Sequence, residues 1–162
     1  MLARGRHWGS CPMQICPLDR RVLVVDDEKN VRLLLRRSLA RLELGLEVQV
    51  ADSGSQALDF FKNKPFDMVI TDYQMPCMNG LELTRVLRQD HPNVKIILMT
   101  ACFSTQIAEQ VDELAVDGYL FKPFSTRHLR EIVYDLLTSP EFSCPLTGGD
   151  GHNGRESKNP HS

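Results

Sequence analysis

Between Arg20 and Thr138, short apolar runs rich in β-branched residues alternate with stretches whose apolar residues recur every three or four positions. A chain whose hydrophobic period switches back and forth in this way builds strands and helices in turn. The first run, Arg21-Val22-Leu23-Val24-Val25, precedes a stripe through Val31, Leu34, Leu35, Leu39 and Leu42. Val48 and Val50 alternate as in a strand, and Ser53 with Gln56 fits a capping box opening a short helix that carries Ala57, Leu58 and Phe61. Met68 to Thr71 reads as a third strand. Leu83, Val86 and Leu87 form a helical face that should stop before Pro92, because the residue preceding a proline is pushed out of the helical region. Val94 to Met99 is a fourth strand, and Ile107, Ala108, Val111 and Leu114 mark a helix capped by Ser104. Gly118 to Phe121 is a short fifth strand, and Leu129, Ile132, Val133, Leu136 and Leu137 close the pattern as an amphipathic helix. Near-continuous apolar strands alternating with helices imply a parallel sheet covered on both faces, so the expected class is α/β, a doubly wound (βα)5 domain.

Residues 20–138 suffice for one compact domain with one core. Residues 1–19 lack a sustained period and read as a loose arm, with Met13 as an alternative start, and residues 139–162 read as a disordered polar tail. Basic and acidic residues nearly balance at a net charge of -2, so there is no general footprint for nucleic acid. No apolar run reaches the roughly 20 residues of a bilayer span, and the arm carries no secretory h-region. The five cysteines, Cys11, Cys16, Cys77, Cys102 and Cys144, are odd in number and contain no CxxC pair. They point to free thiols in a reducing compartment, hence the cytoplasm. Cys11 and Cys16 with His7 lack the second pair that a zinc site would need.

In open α/β sheets ligands bind at the carboxyl ends of the strands. Here those ends read Asp26-Asp27-Glu28, Thr71-Asp72, Met99-Thr100 and Phe121-Lys122-Pro123. Singly each has a plain structural role: Asp26-Asp27 as a helix cap, Asp72 in a turn, Thr100 at a strand end, Lys122 as a solvated charge. Jointly they gather three carboxylates, a hydroxyl and an ammonium on one rim. Clustered carboxylates repel unless a cation compensates them, and oxygen-only ligands that leave room for water and a phosphate suit Mg²⁺.

The segments Val24-Val25-Asp26-Asp27-Glu28, Val69 to Gly80 (VITDYQMPCMNG), Ile97-Leu98-Met99-Thr100-Ala101 and Gly118 to Phe124 (GYLFKPF) resemble the receiver domain of two-component response regulators. The resemblance covers about three quarters of the chain and implies a flavodoxin-like sheet of strand order 2-1-3-4-5. It implies that Asp72 is the phosphoacceptor, that Asp26, Asp27 and Asp72 with the Gln74 backbone carbonyl hold Mg²⁺, and that Thr100, Ala101 and Lys122 border the phosphoryl group. It further implies a cis Lys122-Pro123 bond, lifetime tuning by Gln74 and Cys102, and Tyr119 as the aromatic that follows Thr100 when a face of helix four, strand five and helix five switches. The implied donor is a sensor histidine kinase or a histidine phosphotransfer protein and the implied output is a downstream protein, with pairing of two phosphorylated copies left open.

Asn79 stands where many members of the family have Asp, and Cys77 shares its loop; neither removes an expected ligand. For Cys102 a small buried thiol is the plainer alternative to a redox role. His91, His128, His152 and His161 have no partners at ligand spacing and read as surface residues. The residues after Thr138 are too few and too polar for a DNA-binding output module. The competing function is a Mg²⁺-dependent small-molecule phosphohydrolase, disfavoured because the first strand ends in Asp-Asp rather than Asp-x-Asp. A flavodoxin-type cofactor binder is disfavoured because no glycine-rich loop follows Val25.

Overall fold

The computed structural model describes residues 20–102 and 104–139. Five strands, β1 (Arg21–Val25), β2 (Glu47–Ala51), β3 (Met68–Asp72), β4 (Lys95–Thr100) and β5 (Gly118–Phe121), alternate with five helices, α1 (Lys29–Leu39), α2 (Gly54–Asn63), α3 (Gly80–Asp90), α4 (Thr105–Glu113) and α5 (Thr126–Thr138). The sheet is parallel throughout, in the order β2-β1-β3-β4-β5, as the doubly wound reading requires. Every residue of β1 and β3 is buried, which is why those strands are apolar on both faces, whereas edge strand β2 is half-buried and edge strand β5 alternates.

One face of the sheet packs Val22, Val24, Ile70 and Leu120 against Leu35 and Leu39 of α1 and Leu129, Val133 and Leu137 of α5. The other packs Leu23, Val25 and Val69 against Ala57 and Phe61 of α2 and Leu83 and Leu87 of α3. Leu98 meets Ile107 and Val111 of α4 on that same side. Most of these side chains are wholly buried, and each such valine, leucine or isoleucine contributes roughly 1.5–3 kcal/mol of transfer free energy.

The register aligns the strand ends. Val25 lies opposite both Ala51 and Thr71, Asp72 opposite Met99, and Thr100 opposite Phe121. Asp26, Asp72, Thr100 and Lys122 therefore emerge along one edge. At the opposite edge Arg21 is locked by Glu47, Gln49 and the carbonyls of Lys64 and Pro65, with its guanidinium over the Phe66 ring.

Four local expectations shift. Leu34 is 53% exposed, because one residue back from Leu35 is a turn of 100° away from the core, and Leu42 lies past the end of α1 though it still packs on the core. β4 begins and ends one residue later than Val94 to Met99, since the Val94 N–H turns back to the His91 carbonyl while Thr100 stays paired. Ser53 caps α2 through the Gln56 N–H, but the Gln56 side chain accepts from Asp52 N–H, so the reciprocal half of the box is displaced by one residue. His91 is half-buried, its ring 4.7 Å from that of Phe61. The Ser104 cap and the end of α3 before Pro92 are as read. Residues 1–19 and 140–162, with the arm, most of the tail, Cys11, Cys16, Cys144, His152 and His161, lie outside the described residues.

Candidate functional site

Three carboxylates meet at the carboxyl edge. Asp26 follows β1 and is fully buried, Asp27 beside it is exposed, and Asp72 ends β3 at 6% exposure. Their oxygens can all lie within 4.8 Å of one another. Lys122, just past β5, reaches between the two buried groups, with Nζ 3.0 Å from Asp72 Oδ1 and 3.2 Å from Asp26 Oδ2. The Lys122-Pro123 bond is cis, as the resemblance implies.

The charges do not balance. Three carboxylates face one ammonium, and burial raises the Asp72 pKa above its ordinary value. Lys122 opposes that rise through its bond and charge, while Asp26 and Asp27 add to it. Burial also works against the Lys122 ammonium, but its bonds to Asp72 and Asp26 and their charges outweigh it and hold its pKa above the usual lysine value. A group of oxygen donors with surplus negative charge and an exposed member, Asp27, fits a hard divalent cation, and the donor set matches Mg²⁺.

The backbone around the triad is fixed by Arg32, by a turn at Cys77 and by a cap at Asn79. The Arg32 guanidinium donates to the carbonyls of Asp26 and Asp27 at 2.6 and 2.9 Å, and the Asp26 carboxylate accepts the Glu28 N–H at 2.8 Å. Arg32 was legible only as one of several arginines on α1. After β3, Cys77 adopts φ 68°, and the Met78 N–H bonds the Pro76 carbonyl, a γ-turn in the left-handed region that non-glycine residues seldom enter. Asn79 then caps α3, accepting from Leu81 and Glu82 N–H groups while the Glu82 carboxylate accepts from Asn79 N–H. Asn-x-x-Glu before an apolar run is a readable signal for this box. Gly80 sits so close to the acidic rim that a Cβ there would lie 2.3 Å from the Asp72 carbonyl oxygen.

Thr100 is 1% exposed, and its hydroxyl donates to the Cys102 carbonyl at 2.6 Å and accepts from Cys102 N–H at 3.2 Å. Ala101 and Cys102 are exposed, so the buried-thiol alternative for Cys102 does not hold. Gln74 is exposed and joins Asp27, Tyr73, Met75, Pro76 and Asn79 around an open depression of about 530 Å³. The structure thus brings Lys122 into contact with Asp26 and Asp72 and gathers Asp27 beside them, with Thr100 at the end of β4 and Gln74 on the loop after β3. Tyr119 stands apart: it pairs with Leu98, is 48% exposed, and its ring packs edge-on to that of Phe121 at 5.4 Å.

Comparison with known proteins agrees with this geometry. The response regulator receiver domain family matches residues 22–134. The chain is 41% identical over 125 residues to a response regulator MprA of Mycobacterium sp. (strain KMS), covering 75% of this chain and 53% of that protein. It is 32% identical over 133 residues to the alkaline phosphatase synthesis transcriptional regulatory protein PhoP of Bacillus subtilis, covering 79% of this chain and 52% of that one. It thus spans about half the length of these curated relatives. Among solved structures, chemotaxis protein CheY4 of Vibrio cholerae superposes with a TM-score of 0.68 at 28% identity, covering 74% of this chain and 99% of that one. With the order β2-β1-β3-β4-β5, the acidic cluster at the carboxyl edge and the family match across most of its length, this chain belongs to the response regulator receiver domain family of two-component signalling.

Proposed function

We propose that this chain is a phosphorylation switch in which Asp72 accepts a phosphoryl group from a histidine kinase or histidine phosphotransfer protein. The observation that carries the reading is Asp72 itself, a buried carboxylate 3.0 Å from a lysine and beside two further carboxylates. Asp26, Asp27, Asp72 and the Gln74 carbonyl would hold Mg²⁺, which when bound neutralises the phosphoryl oxygens and the surplus charge of the rim.

In the transfer, an Asp72 oxygen forms a bond to phosphorus as the donor's phosphorus–nitrogen bond breaks, and the imidazole leaves with that electron pair. Asp72 needs no general base, because its carboxylate is already the nucleophile. Lys122 tracks the charge, exchanging its bond to the Asp72 carboxylate for one to a phosphoryl oxygen. Thr100 must release the Cys102 carbonyl to donate to another, so phosphorylation is coupled to the loop that leads into α4. Ala101 leaves the approach open, and exposed Gln74 and Cys102 flank the path of the hydrolytic water, so they tune the lifetime of the acyl phosphate. Tyr119 moving inward behind Thr100 would carry the change to the α4–β5–α5 face, where a downstream protein binds.

The output is protein binding rather than turnover of small phosphate esters or direct contact with nucleic acid. Among the described residues no helix is long and apolar enough to cross a membrane, and the place of action we assign is the cytoplasm. Borohydride reduction after incubation with a small-molecule phosphodonor and Mg²⁺, followed by peptide mapping, tests the acceptor. Conversion of residue 72 to homoserine is expected; label at any other carboxylate would displace Asp72 from the role.

A further inference from the structure

Helices α1 and α4 cover opposite faces of the sheet, and their outer surfaces carry opposite charge. α1 packs with α5 on the core of Val22, Val24 and Leu120, while α4 packs on Leu98 and Leu81. Within α1 there is no acidic residue, and Lys29, Arg36 and Arg37, followed by Arg41, are exposed. Within α4 there is no basic residue, and Glu109, Asp112 and Glu113 are exposed.

Both surfaces break local rules in ways that the fold itself does not relieve. Glu109, Asp112 and Glu113 share one face of α4 by their spacing of three and four, so they repel one another. Asp112 and Glu113 also occupy the last turn, where the helix dipole disfavours negative charge, and no cation pairs with the three among the described residues. On α1 two adjacent leucines, Leu33 at 38% and Leu34 at 53% exposure, face water between the arginines. Next to α4, Tyr119 and Phe121 of β5 are nearly half exposed on the side of the sheet opposite Leu120, which is the α4 side. Sites where sequence contradicts local preference without internal compensation are where external contacts are expected.

We infer that the arginine and leucine face of α1 is a docking surface for the acidic and aromatic face formed by α4 and β5 of a second copy of this chain. The two sides are complementary: cations meet the clustered carboxylates, and the exposed leucines meet the half-exposed aromatics. The contact is heterologous, joining different surfaces of the two copies, so it propagates head to tail instead of closing as a symmetric pair. It forms without a phosphoryl group, and the inward turn of Tyr119 proposed above would remove one of its aromatics.

Sedimentation velocity on the full chain over a range of concentrations tests it. Association should weaken at least about tenfold between about 20 mM and about 300 mM salt, as the Debye length shortens from roughly 20 to 6 Å. Reversing one face, by Arg37→Glu with Arg41→Glu or by Asp112→Lys with Glu113→Lys, should abolish association at low salt. Combining all four substitutions in one chain should restore it, which also guards against a variant that merely misfolds. A monomer at all concentrations in low salt would overturn the assignment. So would association that survives either reversal, because that requires a different or symmetric surface, and so would failure of the folded four-site variant to regain association.

Discussion

At the scale of single residues, the site is an electrostatic debt held in place by backbone geometry. The folded-state pKa of Asp72 is raised, chiefly by burial, so it contributes stability below its usual value of 3.8, and that contribution is lost as pH rises through the raised value. Near neutral pH without metal, the ionised group therefore opposes folding. Asp72→Asn should raise the thermal midpoint of the metal-free protein, with a gain that is absent near pH 3 and grows as pH rises through the raised value; a variant less stable than the parent at pH 7 would contradict it. Lys122 has the opposite working range: its raised pKa stabilises the fold below the usual 10.5 and the benefit fades as pH climbs through the raised value. Gly80 is held by contact, since a Cβ would sit 2.3 Å from the Asp72 carbonyl oxygen. Gly80→Ala should cost on the order of 1–3 kcal/mol and weaken Mg²⁺ binding together with stability, read by chemical denaturation and calorimetric titration. The acids, the hydroxyl and the lysine were legible in the sequence because each ends an apolar run. Arg32 and the γ-turn at Cys77 were not, because backbone carbonyl partners and a positive φ leave no mark in a periodic pattern.

At the scale of elements, the strands and helices followed from periodicity, and the departures fall where periodicity is silent. Leu34 belonged to an apolar triplet, Leu33-Leu34-Leu35, from which alternation of charge and leucine could not say which residue faces in. Caps decided the boundaries more than hydrophobicity did. Asn79 looked like a departure from the family's usual Asp, yet it completes a capping box with Glu82 that fixes the start of α3 directly after the site loop. Asn79→Ala should cost about 1 kcal/mol, and Asn79→Asp should retain most of it, measured by urea denaturation. A larger loss belongs to Arg88 of α3. Its guanidinium bonds the carbonyls of Val94, Leu114 and Ala115 and the Asp117 carboxylate, tying α3 to the end of α4 and the start of β5. Arg88→Ala strands several part-buried acceptors and leaves Asp117 with Lys95 as its ion-pair partner, so a loss of roughly 2–4 kcal/mol is expected. A cost below about 1 kcal/mol would show that the tie is not structural.

At the scale of the whole molecule, parallel register is what turns distant residues into one site. Asp26, Asp72, Thr100 and Lys122 are spread across nearly a hundred positions, and they converge because four strands end in line. That convergence was readable once the βα alternation was seen; the opposed charge of α1 and α4 was not, because which helix covers which face emerges only from packing. If the rim is a Mg²⁺ site, saturating Mg²⁺ should stabilise the native protein, by about 2.7 kcal/mol at a hundredfold excess over Kd, and Asp26→Asn should remove most of that gain. The central claim is that this carboxyl edge forms an aspartyl phosphate at Asp72. Intact mass over time, with a small-molecule phosphodonor, with and without Mg²⁺, for the parent chain and Asp72→Asn, tests it most directly. The account predicts one phosphoryl increment that needs Mg²⁺, decays once the donor is removed, and is absent from Asp72→Asn. An increment of equal size and lifetime in Asp72→Asn, or one indifferent to Mg²⁺, would contradict it.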